Sequence, residues 1–508
     1  MDHKMTFIEK RLYMESKKEE CRQEKISMDQ EKSINEKLRL ICTAFMMAIL
    51  SRYFFSGEAF GISVFLFSMC MMGMSIWALS KKVDIKNTFS YVFVIAAILL
   101  SMSFSIFNNE VLRGMNIIVI PLLITTYIYM INYGYKEISI DFFEKILYRI
   151  SKESCGAINR FFPFTKEILY SKKFSKMNSN QRNILHGLVI AVPLLLVIIG
   201  LLASADMVFA YYIENMWKIL GKFNIWNGIR HMIWVMIITL YLFGFLWSFQ
   251  YKETLKEQKK KEEMIAWEPV TIITVIFAIC IIYGLFSMIQ FSYLYGGHTP
   301  KGLSYSAYAR KGFFELIYVT LLNFLILIFS MKFNKKGSQK LNKVLNTSYT
   351  LLIAFTFNML FSASYKMFLY EKEFGFTRLR IFVQAFMIFL GILFFVVFIG
   401  IWVQRVPIFK TGVIAVLSVY ILLNYINVDK IVAKYNIERY ENKHKIDMNY
   451  LKSLSYDATE EILRLYDVGD EEIKKEVREY EKKIVKEVKD SYDCWYEYNY
   501  YKSKIVNE

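Results

Sequence analysis

The segment that decides the fold is IFVQAFMIFLGILFFVVFIGIWV, residues 381–403. It contains no charged residue, and the nearest charges on its two sides are Arg380 and Arg405. At about 1.5 Å per residue, a helix of this length matches the roughly 30 Å hydrocarbon core of a bilayer. Because lipid offers no hydrogen-bond partner to the backbone, a segment that crosses it has to be helical. We therefore predict a membrane-spanning helix here.

The same pattern recurs along the chain, which has 508 residues, 55% of them hydrophobic. Apolar blocks of similar length alternate with short charged stretches, and eleven can be placed, at about 38–56, 60–80, 88–107, 114–134, 184–205, 231–250, 269–293, 312–331, 344–368, 381–403 and 411–427. This pattern predicts an all-α, polytopic membrane protein with about 11 transmembrane helices and a small helical C-terminal soluble tail.

Basic residues are distributed unevenly among the loops. The N-terminal segment and every second loop hold 35 Lys and Arg, whereas the other loops hold 11. Cytoplasmic loops are enriched in these residues, so we predict a multi-pass protein of the cytoplasmic membrane with its N-terminus in the cytoplasm and its C-terminus outside. The net charge of +17 has the same explanation. No Gly-rich phosphate loop or aromatic RNA-binding motif accompanies it, which excludes nucleic acid as a partner and leaves the lipid bilayer.

We expect five parts along the chain. They are a cytoplasmic N-terminal segment (1–37), a first bundle of four spans (38–134), a cytoplasmic linker (135–183), a bundle of seven spans (184–427) and an extracytoplasmic helical tail (428–508). Apolar residues from Ile138 to Ile150 follow a helical stripe, which is typical of an amphipathic helix on the inner leaflet or of a simple tether. In the tail, apolar residues from Ile473 to Val488 step by three and four, which predicts an amphipathic helix beginning near Asp470.

Ionisable and aromatic polar residues gather in four stretches that the predicted topology places on the outer face, at 201–210, 298–317, 371–380 and 427–440. We predict that they form one cluster, either structural or ligand-binding, which comprises Asp206, Tyr305, Tyr308, Arg310, Glu315, Glu371, Glu373, Arg378, Arg380, Asn436, Glu438 and Arg439. A lone carboxylate deep in a span costs about 2.5–3.5 kcal/mol, so Glu315 needs a cation. Arg310, Arg378 and Arg380 are the candidates.

The sequence contains no catalytic constellation. Its five histidines are scattered, its six cysteines have no CxxC spacing, and no GxSxG occurs, so we predict no catalytic residue, no metal site and no cofactor. The outer carboxylates have the chemistry of a general acid and base, but nothing in the sequence selects a substrate for them.

Four outer stretches resemble a known family. They are LLASADMVFA (201–210), SYSAYARKGFFELIYVTLLN (304–323), EFGFTRLRIFVQAFM (373–387) and VDKIVAKYNIERY (428–440), the last followed by IDMNYLKSLSYDA (446–458). Over about residues 184–465 the chain resembles bacterial membrane proteins grouped as domain of unknown function 4173, close to group 4153. The resemblance implies a polytopic envelope protein without an assigned reaction. It also implies that nine members of the predicted cluster define the family, without a catalytic role: Asp206, Tyr305, Tyr308, Arg310, Arg378, Arg380, Asn436, Glu438 and Arg439.

These observations favour a non-enzymatic integral membrane protein whose outer polar cluster organises the bundle and is a candidate site for a small ligand, a lipid or an envelope protein. A secondary transporter is the alternative, and the charge-free centres of the spans count against it. A membrane enzyme acting on a lipid or glycan carrier comes third, because it would require the outer carboxylates to share a pocket.

Overall fold

The computed structural model describes residues 34–57, 60–79, 88–134, 140–170, 178–206, 225–249, 267–290, 313–335, 337–403, 405–490 and 494–507. Its α-helices, numbered in chain order, are α1 Ile34–Phe54, α2 Ile62–Leu79, α3 Tyr91–Ser103, α4 Glu110–Tyr133, α5 Ile140–Tyr148, α6 Ser154–Ala157, α7 Phe161–Leu169, α8 Ser179–Ala205, α9 Ile225–Ser248, α10 Pro269–Gln290, α11 Phe313–Phe333, α12 Gln339–Phe374, α13 Arg378–Trp402, α14 Ile408–Tyr425, α15 Val428–Lys443, α16 Met448–Lys452, α17 Thr459–Leu463, α18 Leu465–Val468, α19 Glu471–Asp490 and α20 Tyr500–Asn507. Within these described ranges no strand forms, and the single β-bridge joins Trp267 to Asn334. The all-α prediction is confirmed.

Eight of these helices are long and apolar enough to cross a membrane: α2, α4, α9, α10, α11, α12, α13 and α14. This confirms the prediction of a polytopic membrane protein. The other three predicted spans coincide with α1, α3 and α8. Helix α3 has only 13 residues, and α1 carries Glu36 in its first turn and Arg52 in its last. The count of eleven spans therefore stays a prediction.

Side-chain caps determine where several helices begin and end. Asn109 precedes α4 and accepts a hydrogen bond from the Leu112 amide at 3.1 Å. Helix α12 ends at Gly375, whose φ of 84° lies in the region that favours glycine. Thr377 then caps α13 by accepting from the Arg380 amide. The chain thus reverses between two long helices within a few residues, and the two arginines of this corner lie in the first turn of α13.

Buried apolar side chains form two cores among the long helices. The first core unites α1–α7, α9 and α14, and the second unites α10–α13. These two cores are defined by side-chain packing and do not test the predicted division into a four-span and a seven-span bundle. That division stays a prediction.

The linker helix predicted between Ile138 and Ile150 corresponds to α5, and Ile138 itself lies outside the described residues. Phe142 and Ile146 are fully buried in the first core. Arg149, which follows α5 directly, is also buried, and it donates hydrogen bonds to the Ser248 carbonyl and the Tyr133 hydroxyl. This segment therefore packs into the protein through both apolar and polar contacts.

The C-terminal residues 428–490 and 494–507, here called the cap, have a third core of their own. The tail helix predicted from sequence is α19, whose buried side chains are Ile473, Val477, Tyr480, Ile484 and Val488. Asp470 accepts a hydrogen bond from the Ile473 amide at 2.9 Å and so begins the helix where the sequence indicated. The helical tail is confirmed.

The cap contacts one end of the bundle at turns that are far apart in sequence. The Ile62 amide donates to the Tyr498 carbonyl at 3.2 Å, and the Tyr500 amide donates to the Ser105 carbonyl at 2.8 Å. The hydroxyls of Ser56 and Tyr496 are 2.8 Å apart. The turns that follow α1 and α3 therefore lie at the same end of the bundle as residues 496–500 of the cap.

Candidate functional site

Buried polar side chains join the cap to this end of the bundle. They come from the turn before α4, the start of α13 and the cap itself, and we call them the polar junction: Asn108, Asn109, Arg378, Asp429, Ser455, Asp457 and Asn499. Asn108, Asn109, Arg378 and Asp429 lie where an apolar helix begins or ends, whereas the other three lie between short helices of the cap. Polar residues are expected at such positions in the sequence, but their burial results from the packing of the cap.

Asp429 is the centre of the polar junction. Its side chain is completely buried and forms a two-pronged ion pair with Arg378, with distances of 2.5 Å from Nε to Oδ1 and 2.7 Å from Nη2 to Oδ2. The Asn109 amide donates to Oδ1 at 3.2 Å. The backbone amide and the hydroxyl of Ser455 donate to Oδ2 at 3.2 and 2.5 Å. One carboxylate thus links the α3–α4 turn, the α12–α13 corner and the cap.

Asp457 makes a second link between cap and bundle. The Asn108 amide donates to both carboxylate oxygens, at 2.8 and 2.7 Å, and the Asn108 side chain donates to one of them at 3.0 Å. Asn499 accepts from the Asn108 side chain at 2.6 Å and donates to the Phe104 carbonyl at 3.0 Å. Burial raises the pKa of Asp457 to about 6, and nearby Asp429 pushes it in the same direction, while the hydrogen bonds from Asn108 oppose the rise.

The α12–α13 corner brings together several residues of the predicted cluster. Asn436 accepts from the Phe376 amide at 3.1 Å and donates to the Phe376 carbonyl at 2.8 Å. Arg439 donates to the Glu373 carbonyl at 2.7 Å. Arg380 donates to the Gly375 carbonyl. Side chains of α15 therefore hold this corner by binding its backbone amide and carbonyl groups.

Three acidic members of the predicted cluster have different environments. Glu371 is buried and has one carboxylate oxygen without a hydrogen bond among the described residues. Glu373 is exposed and lies 3.5 Å from the Lys443 ammonium. Glu438 lies 3.9 Å from Lys434 on the surface of the same helix. The three carboxylates therefore differ in burial and in the charged groups beside them.

The remaining predicted residues lie elsewhere or outside the described ranges. Asp206 is exposed at the C-terminal end of α8, which packs against α7 and α9. Glu315 is exposed in the first turn of α11 and interacts electrostatically with Lys366. Two of its three expected partners have other contacts, since Arg378 binds Asp429 and Arg380 binds the Gly375 carbonyl. Predictions for Tyr305, Tyr308 and Arg310 fall outside the described residues.

Sequence reasoning missed the acids and amides that carry the junction. Asp429 stands just after the last apolar block, inside a stretch we had singled out, and Asn108 and Asn109 form a polar pair between two such blocks. Position alone did not distinguish these residues from ordinary interfacial ones. The useful signal is a short polar residue directly beside a span, because such a side chain has little length with which to reach solvent once another element covers it.

A cavity of about 410 Å³ lies beside the polar junction, at the seam between cap and bundle. The bundle contributes Asn108 and Glu110, and the cap contributes α16, α19 and the chain between α16 and α17. Its charged lining residues are Glu110, Lys452, Glu479, Lys483 and Glu487. Within the described ranges, the seam cavity included, no three His, Cys, Asp or Glu side chains are grouped so as to hold a metal ion.

The two lysines of this seam cavity have acidic partners. Lys452 lies 2.6 Å from Glu476, and Lys483 lies 3.6 Å from Glu487. Of the three lining carboxylates, Glu487 is the partner of Lys483, so Glu110 and Glu479 are the surplus acids and the lining favours a cation over an anion.

Comparison with known proteins agrees in part with the resemblance seen in the sequence. The family described as Domain of unknown function (DUF4153) matches residues 94–465, which include α4 to α17 and both acids of the polar junction. Comparisons with curated proteins and with solved structures gave no match. The matched region covers well over half of the chain, and the chain belongs to the DUF4153 family of domains of unknown function.

Proposed function

We propose that this integral membrane protein is non-enzymatic and that its cap, docked by the polar junction, completes a binding site for a small cationic solute at the seam. The observation that carries the proposal is the seam cavity, because both cap and bundle contribute to it and its lining carries surplus carboxylates. The polar junction has the supporting role of fixing the two sides of the cavity in one geometry.

We also propose where the protein lies in the cell and which group of related proteins it is nearest to. The excess of basic residues in alternate loops supports a cytoplasmic N-terminus, which puts the cap and the seam outside the cytoplasmic membrane of a bacterium. The quoted stretches support a place near group 4173 within the wider set of such proteins. An envelope protein or a lipid headgroup that presents an amine has the same chemistry as a free small amine.

Thermal unfolding with a simple amine tests the proposed site. The purified protein in detergent is heated with 1,4-diaminobutane or with the neutral 1,4-butanediol at equal concentration. We expect the diamine alone to raise the melting temperature, and the double variant Glu110→Gln, Glu479→Gln to lose most of that rise. Glu471→Gln, which removes an exposed acid elsewhere on α19, is the matched control. An equal shift with the diol, or a full shift in the double variant, contradicts the proposal.

Transport is the second candidate, and it is favoured by buried polar contacts in the second core. The Tyr283 hydroxyl donates to the Asn323 side chain at 2.7 Å, and Asn323 donates to Thr356 at 3.0 Å. Asn358 donates to Ser287 at 3.0 Å. These contacts join α10, α11 and α12 within the membrane-spanning region, where hydrogen bonds between helices also serve packing.

An assay in proteoliposomes distinguishes a transport role of the buried Asn323 side chain from a packing role. If α10–α12 form a proton path, vesicles containing the protein will acidify under an imposed pH gradient faster than empty vesicles, and Asn323→Leu will abolish the difference. If the amide only packs the helices, the protein and empty vesicles will behave alike.

A further inference from the structure

A basic cluster lies at one end of α1 and α9, apart from the polar junction. Arg52 is in the last turn of α1, and Arg230 and His231 are in α9. Arg52 Nη2 lies 2.8 Å from His231 Nε2. Because a guanidinium can only donate, His231 accepts this bond at Nε2 and is neutral.

The two arginines of this cluster repel each other. Arg230 lies close enough to both Arg52 and His231 to interact electrostatically with them. Two cations held at the end of neighbouring helices create a local positive potential, which an anion between them would relieve.

An apolar groove begins directly beneath the cluster. It has a volume of about 690 Å³ and is lined by Phe45 of α1, by α7, by α8 and by α9 from His231 to Leu240. The nine residue-to-residue steps from His231 to Leu240 correspond to roughly 13 Å along the helix axis. Exposed apolar side chains such as Leu188 and Met232 border the groove, so it opens toward lipid rather than into the protein core.

We propose that this site binds an anionic phospholipid, with its phosphate between Arg52 and Arg230 and one acyl chain in the groove. The cluster and the groove share His231, so charge and apolar surface are continuous. A zwitterionic lipid fills the groove equally well but gains less from the two cations, and a free phosphate gains nothing from the groove. Each arginine near an interface changes the affinity for an anionic lipid by about five-fold.

Lipid binding by the purified full-length protein tests the charged part of this site. After delipidation in detergent, the protein is titrated with dioleoyl phosphatidylglycerol or dioleoyl phosphatidylcholine, and bound lipid is counted by native mass spectrometry. We expect Arg52→Gln, Arg230→Gln to weaken phosphatidylglycerol binding by at least ten-fold and to weaken phosphatidylcholine binding much less. Lys332→Gln, Lys335→Gln removes two charges at the far end of α11 and is the matched control.

The groove is tested by filling it. Leu188→Trp should reduce binding of the dioleoyl lipid several-fold and leave binding of inorganic phosphate unchanged. Should the double arginine variant unfold, Arg230→Gln alone, whose side chain is exposed, should still give about a five-fold loss. The proposal is overturned if phosphatidylglycerol binds the arginine variants as it binds the wild type, if phosphatidylcholine competes equally, or if inorganic phosphate reproduces the whole effect.

Discussion

Replacing Asp429 by asparagine removes a charge but keeps the size and shape of the side chain. In the wild type, Oδ1 accepts from Arg378 and Asn109, and Oδ2 accepts from Arg378 and from both donors of Ser455. An asparagine has one oxygen and one NH₂ group at these two places. Whichever way the amide turns, its NH₂ group faces at least two donors, and the Arg378 guanidinium loses its counter-ion.

The size of the expected loss in stability follows from how deeply Asp429 and Arg378 are buried. The Asp429 side chain is fully buried and that of Arg378 is 20% exposed, so solvent cannot replace the lost partner efficiently. Breaking one side of a buried ion pair typically costs about 3–5 kcal/mol, because the other charge stays buried. By contrast, the Lys443–Glu373 pair has side chains that are 43% and 58% exposed, and such a surface pair contributes about 0–1 kcal/mol.

Unfolding in mixed micelles of mild detergent and dodecyl sulfate, followed by tryptophan fluorescence, measures these differences. We expect Asp429→Asn to lower the free energy of unfolding by about 3–5 kcal/mol and Glu373→Gln to change it by less than about 1 kcal/mol. Adding Arg378→Gln to Asp429→Asn should cost much less than Arg378→Gln alone, since the two residues act together. A loss below about 1 kcal/mol, or strictly additive losses, would refute the role of Asp429 as the hub.

Three further predictions concern charge, backbone and topology. Because burial raises the pKa of Asp457 to about 6, protonation favours the folded state, so stability should rise by about 1–2 kcal/mol from pH 7 to pH 5, and Asp457→Asn should flatten this dependence in pH-dependent melting. Gly375→Ala should cost about 1–3 kcal/mol in the same melting assay, because φ is 84° and a Cβ would lie 2.6 Å from the Asn436 side-chain oxygen; an unchanged melting temperature would argue against this corner. In single-cysteine variants, a membrane-impermeant maleimide added to intact cells should label Cys494 and not Cys155, and the reverse pattern would invert the proposed orientation.

The fold was readable from sequence because apolar length and helical periodicity are local properties. Residues 381–403 form most of α13, and the five apolar positions of α19 are the ones that its packing buries. Both patterns follow from the requirement that each helix bury one face or cross the bilayer. The number of membrane spans does not follow as directly from the sequence. Helix α1 carries a charge in its first and last turns, and α3 has only 13 residues.

The candidate site was only partly readable because it depends on pairing across the chain. Sequence placed 371–380 and 427–440 at one face, and the structure brings Arg378 and Asn436 to the same corner. The sequence alone did not indicate whether Asp429 or Glu315 is the partner of Arg378. The two acids are separated by more than a hundred residues, and local patterns do not show which of them lies beside the arginine. Which acid is buried is decided by how the cap packs, and that information is absent from local patterns.

Hydrogen exchange of the intact protein, compared between wild type and Asp429→Asn, tests most directly whether the polar junction holds the cap on the bundle. We expect three backbone amides to exchange faster together in the variant: those of Asn108 and Arg378, which bond Asp457 and Tyr450 across the seam, and that of Ser455, which bonds Asp429 within the cap. If faster exchange is confined to α15 and the amides of Asn108 and Arg378 remain protected, the three segments are not held by one carboxylate, and the central claim is contradicted.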